Sequence, residues 1–262
     1  MARVACEYYA GKTPVLVGTT GIWDRNMDHR PDPAVFLEQA IALSKYAQDC
    51  GATAVVHTMP EAIAPQAGQT HADVTLRYFE ALAKALSIPI IAYQPPTTDA
   101  AYRVTPGLLA RLADLPGLTA IKVSTLDAEY LFNLNWAVRN RDFSVIAGCE
   151  TVYYVALCMG IQATIGQGCT SNPQIIRAVE RHFLSGNREK ALAAQASVNL
   201  LVTRVRNITE FTKRYADEQG FRVPVYTRLF ENNPYMTNQD PLTEDEYRAF
   251  KSVFAAELAK YA

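Results

Sequence analysis

The sequence predicts an α/β fold of the (β/α)8-barrel type, with about six βα units recognisable and extra helices at the C-terminal end. Three observations carry this. Short apolar or β-branched runs alternate with amphipathic helical patterns, the rhythm of a parallel sheet covered by helices. The runs are apolar almost throughout, as strands buried on both faces are. Unusual polar residues (Thr19-Thr20, His57, Tyr93, Lys122, Gly148-Cys149 and Gln167) sit at or just past the carboxyl ends of several runs, where barrel enzymes keep their chemistry. No glycine-rich phosphate loop follows any run, which disfavours a nucleotide-binding open sheet.

In order, the strands are expected at 14–18 (PVLVG), 53–58 (TAVVHT), 89–93 (PIIAY), 118–123 (LTAIKV), 143–148 (FSVIAG) and 163–167 (ATIGQ). Between them, 33–48 carries Val35, Phe36, Ala40, Leu43 and Ala47 near helical spacing, with Gly51 as its stop. Segment 71–86 repeats the pattern with Val74, Phe79, Leu82 and Leu86. Thr105-Pro106 joins a capping hydroxyl to a proline at the first helical position. Asp127, Thr151 and Asn172-Pro173 are expected to open the later helices. Beyond Asn172 the pattern is helical only, through Leu200 and up to Tyr215. A proline-rich stretch follows (Val223-Pro224, Asn233-Pro234, Asp240-Pro241), and Thr243-Glu-Asp-Glu246 reads as a capping box for a last helix. The expected division is a barrel portion at 1–185 and a helical region at 186–262 packed on it.

Composition bounds the function classes. The chain has 262 residues, 49% hydrophobic and 19% charged, with net charge -1. That is enough apolar material for one large domain or two small ones. The balance leaves no electrostatic footprint for nucleic acid or an anionic membrane. No run approaches the roughly 20 apolar residues of a membrane span, and the first residues lack the apolar centre of a secretion signal. The cysteines at 6, 50, 149, 158 and 169 are odd in number and not spaced as metal ligands. Reduced thiols, a cytoplasmic location and no metal are therefore expected.

Lys122, inside Leu118-Thr-Ala-Ile-Lys-Val-Ser-Thr125, is the informative residue. An ammonium in a buried strand is costly unless it is paired, neutral or used in chemistry. Either it points into the barrel mouth, where desolvation lowers its pKa and the amine can attack a ketone to give an iminium, or it reaches the rim and pairs with Asp127 or Glu150. The preceding run ends Ile-Ile-Ala-Tyr93, which sets a phenol beside Lys122 on the adjacent strand. A phenol there can relay protons to a carbinolamine or to the leaving oxygen of an aldol; alone, a strand-end aromatic is packing.

Together these stretches resemble the dihydrodipicolinate synthase / N-acetylneuraminate lyase family of class I aldolases. Residues 78–96 (YFEALAKALSIPIIAYQPP) are similar to the helix and strand ending in the family's Tyr-Asn-x-Pro. Residues 104–122 (VTPGLLARLADLPGLTAIK) resemble the block leading to its Schiff-base lysine, and 143–148 the next strand, whose glycine lets the backbone approach substrate. Residues 163–173 (ATIGQGCTSNP) resemble the last strand and its turn. The resemblance implies an iminium between Lys122 and a pyruvate-like 2-oxo acid, proton relay by Tyr93, and no cofactor beyond that Schiff base.

The departures matter as much. Residues 4–15 resemble the end of the family's second helix running into its third strand, so an N-terminally short version of a longer product, or a misassigned start, is expected. If the short form is real, edge pairing with another subunit would complete the sheet. The family's Gly-Thr-Thr-Gly loop belongs to its second strand, yet Gly18-Thr-Thr-Gly21 is present here. Either it is that loop, with much of the next unit deleted, or it is the third-strand turn, lengthened by 22–33 (IWDRNMDHRPDP); spacing to the later blocks favours the second. Thr19 or Thr20 then faces the pocket or merely caps the turn. Where the lysine-pathway synthase has an arginine for its second substrate stands Thr98, with Arg103 beyond it. Glu61-Ala62 replace its tyrosines, and Val123-Ser-Thr-Leu-Asp127 lacks its acidic residue and glycine. Lysine-pathway synthesis is therefore expected to be excluded.

His57 either binds a substrate oxygen or is a satisfied core histidine. Glu61, His71 and His29 are expected at the surface, and Cys149 and Cys169 as small apolar filling. Trp23 and Tyr153-Tyr154 either shape an acceptor site or pack an interface. The expected activity is that of a class I aldolase, lyase or dehydratase joining or splitting a 2-oxo acid and an aldehyde. Lys122 and Tyr93 are its catalytic residues, and Thr19, Thr20, His57, Gly148 and Gln167 bind substrate. A homo-oligomer, dimer or tetramer, is expected. The rival is an inactive, shortened paralogue with a binding or assembly role.

Overall fold

The computed structural model describes residues 1–224 and 241–262. Its strands are β1 (Leu16–Gly18), β2 (Ala54–Thr58), β3 (Ile90–Gln94), β4 (Leu118–Val123), β5 (Ser144–Ala147) and β6 (Ala163–Thr164). They lie in one sheet in chain order, β1-β2-β3-β4-β5-β6. This is the barrel-type α/β architecture expected, since parallel neighbours need a crossover and each crossover here carries a helix. The helices are α1 (Ala2–Tyr9), α2 (Pro33–Asp49), α3 (His71–Ala85), α4 (Pro106–Leu112), α5 (Ala128–Val138), α6 (Tyr153–Cys158), α7 (Gly168–Ser171), α8 (Pro173–Leu184), α9 (Arg188–Arg204), α10 (Ile208–Glu218) and α11 (Glu244–Ala259). Among the described residues no helix is long and apolar enough to cross a membrane. The five cysteines are free thiols.

The chain forms two compact units, Met1–Ile146 and Ala147–Ala262. In the first, the parallel register pairs Gly18 with Val56, Thr58 with Tyr93, and Tyr93 with Lys122. Because side chains alternate along a strand, these residues share one face of the sheet. Below them on that face Ala54, Ile91, Ala120 and Ile146 form an apolar layer, with Val56 against it. The opposite face, including Val55, His57, Ala92, Ile121 and Val123, is buried. Helices α2 (through Phe36, Ala40, Ser44 and Ala47) and α3 (through Val74, Thr75, Tyr78, Phe79 and Leu82) bury their apolar stripes in the same unit.

The helix starts show where local chemistry suffices. Asp32 caps α2, Thr105 caps α4 and Asp127 caps α5. Thr70 and Asp73 make a reciprocal capping box on α3 that the sequence pattern had not singled out. Thr151 caps nothing: it lies in a 3-10 turn, Glu150–Val152, just before α6. Asn172 precedes α8 without a side-chain cap, its Oδ1 accepting from the Ser171 hydroxyl at 2.9 Å instead.

In the second unit α8 packs on α9, so the expected boundary near residue 185 falls inside this unit. Helix α11, opened by the expected Thr243–Glu246 capping box, closes over Phe211 of α10. The Phe211 ring lies 4.4 Å from Phe250 and 5.1 Å from Phe254. Asn233-Pro234 and Asp240 of the proline-rich stretch lie outside the described residues. Truncating Leu82, which is fully buried, is expected to cost about 2–5 kcal/mol as L82A, whereas T70A should cost about 1 kcal/mol through its lost cap. Urea unfolding of the two variants measures both.

Candidate active site

The register pair Tyr93 and Lys122 gives the site its centre. Lys122 Nζ stands 4.3 Å from the centroid of the Tyr93 ring, within cation–π range. Both residues are half-buried. Among the described residues no carboxylate is ion-paired with Lys122. Asp127, the expected rim partner, instead accepts from Tyr130 N at 3.0 Å and starts α5. The Tyr93 hydroxyl lies 3.4 Å from Ser124 Oγ, and Ser124 N donates to Gln94 O at 3.0 Å. Behind them Gln94 is buried, its Oε1 accepting from Val104 N at 2.8 Å and from Tyr130 Oη at 3.0 Å. Those bonds fix the loop leaving β3. Neither Ser124 nor Gln94 carries a distinctive sequence signal.

The two threonines after β1 go to opposite faces. Thr20 Oγ1 accepts from Thr58 N at 3.0 Å and lies 3.4 Å from Thr58 Oγ1, on the Tyr93–Lys122 side. Thr19 turns the other way, into the layer between sheet and helices. Its Oγ1 is 2.8 Å from Ser44 Oγ and 3.0 Å from His57 Nε2, while Ser44 Oγ is 2.9 Å from the same nitrogen. His57 Nδ1 meets Tyr78 Oη at 2.9 Å. Thr19 and His57 are 4% and 0% exposed. Their expected substrate-binding roles are therefore corrected: strand alternation sends both side chains away from Lys122, and both are satisfied core groups. Burial lowers the His57 pKa to about 3, so its imidazole is neutral. Burial also pushes the Tyr78 phenol up, keeping its proton on.

Glu61 is not at the surface either. It is 4% exposed, ion-paired with Arg25 Nη2 at 2.7 Å, and its other oxygen accepts from Asp99 N at 2.7 Å. Burial raises its carboxyl above the usual range, while the Asp99 N–H and the Arg25 guanidinium pull it back. One carboxylate thus ties together the loops that follow β1, β2 and β3. Arg25 holds φ at 66°, a left-handed backbone uncommon outside glycine. Thr98 is buried beside this junction and Arg103 is exposed. Thr98 Oγ1 has no hydrogen-bond partner among the described residues. His71 is half-buried, its ring edge-on to Tyr102 at 4.6 Å.

In the second unit Gly148 follows β5, and Gln167 is exposed just before α7. The ordering group there is Glu150, which is buried. Its Oε1 accepts from Gly168 N at 2.8 Å, and its carbonyl accepts from Gln195 Nε2 at 2.9 Å. A Cβ on Gly166 would overlap the Glu150 carboxylate, so the segment 166–168 wraps that carboxylate closely and a side chain at 166 would displace it. Tyr153 donates to Gln162 O at 3.2 Å and Tyr154 packs edge-on against Phe183, which places both in this unit's packing.

Two outcomes follow for stability. The folded chain keeps His57 neutral, whereas the unfolded chain protonates it near its ordinary value of 6.5. Stability contributed by His57 should therefore fall from about pH 6.5 downward, by about 1.4 kcal/mol per pH unit for one proton. Urea unfolding at pH 7 and pH 5 should show this loss in the wild type and not in H57Q; equal losses would contradict a neutral buried imidazole. G166A should destabilise by about 1–3 kcal/mol through overpacking, read by thermal unfolding against G107A, where a Cβ meets open space.

Comparison with known proteins agrees with this architecture. The model of the dihydrodipicolinate synthetase family matches residues 34–237; Gly18–Gly21 lies ahead of that match. A 4-hydroxy-tetrahydrodipicolinate synthase of Thermus thermophilus is 26% identical over 191 residues, covering 72% of this chain and 57% of that protein. The chain thus spans less than two thirds of that relative's length. Among solved structures, YagE of E. coli K12, in complex with pyruvate, has a TM-score of 0.73 at 21% identity, covering 100% of this chain and 80% of that one. N-acetylneuraminate lyase from Mycoplasma synoviae has a TM-score of 0.74 at 15% identity, covering 98% and 78%. At such identities these two likenesses speak for the fold alone. The name of the Thermus relative removes the ground for excluding the lysine-pathway synthase, and that exclusion is withdrawn. With the family model matching most of its length, the chain belongs to the dihydrodipicolinate synthetase family.

Proposed function

We propose that the chain supports a Schiff-base lyase reaction, aldol cleavage or condensation or the related loss of water, on pyruvate or a kindred 2-oxo acid. The observation that carries this reading is the Lys122 amine held 4.3 Å from the Tyr93 ring, with no carboxylate paired to it among the described residues.

Lys122 Nζ adds to the ketone carbon of the 2-oxo acid, and the carbinolamine loses water to leave an iminium. In the cleavage direction the bond between the carbon adjacent to the iminium and the hydroxyl-bearing carbon beyond it breaks, its electron pair passes into an enamine, and the hydroxyl proton of the departing aldehyde goes to a base. Tyr93 is the proposed proton carrier, with Ser124 Oγ 3.4 Å from its hydroxyl as the next acceptor. The enamine takes a proton at carbon, and water hydrolyses the iminium, freeing the 2-oxo acid and Lys122. Thr20 offers a hydroxyl to the substrate carboxylate from the same face. The nitrogen itself is the electron sink, so the scheme requires no further cofactor.

The acceptor aldehyde is to be found by screening. The aldehyde used by 4-hydroxy-tetrahydrodipicolinate synthases belongs in the screen, although Thr98 stands where the family resemblance expects arginine. Borohydride reduction in the presence of pyruvate should add one reduced pyruvyl unit at Lys122, seen by peptide mass mapping and absent in K122A. Y93F should still trap pyruvate while turnover of 4-hydroxy-2-oxo acids drops by roughly 10²–10⁴-fold. No adduct on the wild-type chain at saturating pyruvate would sink the proposal.

A further inference from the structure

We infer that Thr19, Ser44 and His57 form a positioning network that holds the Gly18–Gly21 turn from behind and so aims the Thr20 hydroxyl at the face of Tyr93 and Lys122. The inference rests on the proposed function for its catalytic consequence, and on geometry alone for its structural one.

Three contacts immobilise the turn. Thr19 N donates to Val56 O at 3.1 Å, prolonging the β1–β2 ladder by one residue past Gly18. The Thr19 hydroxyl then closes a triangle with Ser44 Oγ and His57 Nε2, every side 2.8–3.0 Å. At the far end of the turn, a Cβ on Gly21 would come within 2.7 Å of Phe36 on α2, so the backbone lies flush against that helix. Between these clamps Thr20 has one way to face, and its Oγ1 caps Thr58 N at 3.0 Å.

The hydrogen-bond directions are determined by counting protons. Ser44 Oγ spends its proton on Ala40 O at 2.7 Å, so within the triangle it accepts. Tyr78 keeps its phenolic proton, and with His57 Nδ1 2.9 Å away that proton is assigned to the Nδ1 contact. The neutral imidazole therefore carries its own proton on Nε2 and donates into the triangle, and the Thr19 hydroxyl donates to Ser44. Every member is satisfied in one arrangement and in few others, which is what a positioning device requires. Among the described residues the hydrogen-bond partners of the His57 ring are the hydroxyls of Thr19, Ser44 and Tyr78, and burial is what keeps the ring neutral.

The test pairs two variants of one atom. T19V keeps shape and removes the hydroxyl, while T19S keeps the hydroxyl. The first readout is the pyruvate concentration that gives half-maximal borohydride trapping at Lys122. T19V should raise it about tenfold with the saturated yield unchanged, and T19S should restore it to within about twofold of wild type; tenfold is about 1.4 kcal/mol of binding. The second readout needs no chemistry: amide hydrogen exchange at Thr58, which Thr20 caps, should accelerate in T19V and not in T19S. If T19V does not fold, S44A opens the same triangle from α2 and is expected to move both readouts in the same direction. Should the wild type trap pyruvate while T19V keeps the wild-type half-saturation, the inference is overturned. Should the wild type trap nothing, the proposed function fails on its own, and unchanged Thr58 exchange in T19V overturns the inference separately.

Discussion

The pairing of Tyr93 with Lys122 across β3 and β4 is the constraint on which the rest of the candidate site depends. In a parallel ladder two paired residues share a face, and a slip by one residue would send one of them to the other side of the sheet. That register is held from below by Ile91 and Ala120, two residues earlier on the same face and inside the apolar layer. It is held from above by the Ser124 N to Gln94 O bond, which carries the ladder beyond β4. The one irregularity in the pairing, between Ile90 and Ile91, lies before this stretch and leaves it in register. Lysine and phenol therefore meet through backbone geometry, without an ion pair to draw them together.

The same alternation sorts the hydroxyl groups at the strand ends into two populations. Thr20, Thr58 and Tyr93 stay half-buried on the reactive side, and Ser124, although buried, joins them through the Tyr93 hydroxyl. Thr19, Ser44, His57 and Tyr78 are sealed in the sheet–helix layer. Burying an imidazole and three hydroxyls is costly unless each finds a partner, and here each does. Glu61 meets the same demand differently. A buried carboxylate beside a guanidinium gains little net stability, because desolvation offsets the attraction; its evident service is to tie three strand-end loops into one junction through Arg25 and Asp99. In the second unit Glu150 does the same for the segment 166–168. Loops that carry candidate site residues are thus organised by buried carboxylates and amides rather than by apolar packing.

Much of this was legible in the chain alone. Short β-branched runs between capped amphipathic segments have few other ways to fold, so all six strands and most helix starts lie where the pattern put them. A lysine inside such a run, with a tyrosine ending the run before it, pointed to the reactive face for a reason that is local and periodic. What the pattern did not show falls into two kinds. Glu61 and Arg25 are 36 residues apart, as are Gln94 and Tyr130, and nothing in the intervening sequence marks one as the other's partner. Thr151 and Asn172 have the right chemistry for caps, but a 3-10 turn displaces the first and Ser171 occupies the second.

What the sequence determined by itself is the alternation of strand and helix, the identity of the amine and the phenol, and their places at neighbouring strand ends, because these follow from side-chain period and local capping. Which of two adjacent threonines looks toward that amine, whether His57 meets substrate or core, and where a buried carboxylate finds its counter-charge were decided only by the folded chain. Those outcomes turn on which face each strand gives to the helices and on contacts between residues far apart in the chain, and no local pattern encodes either.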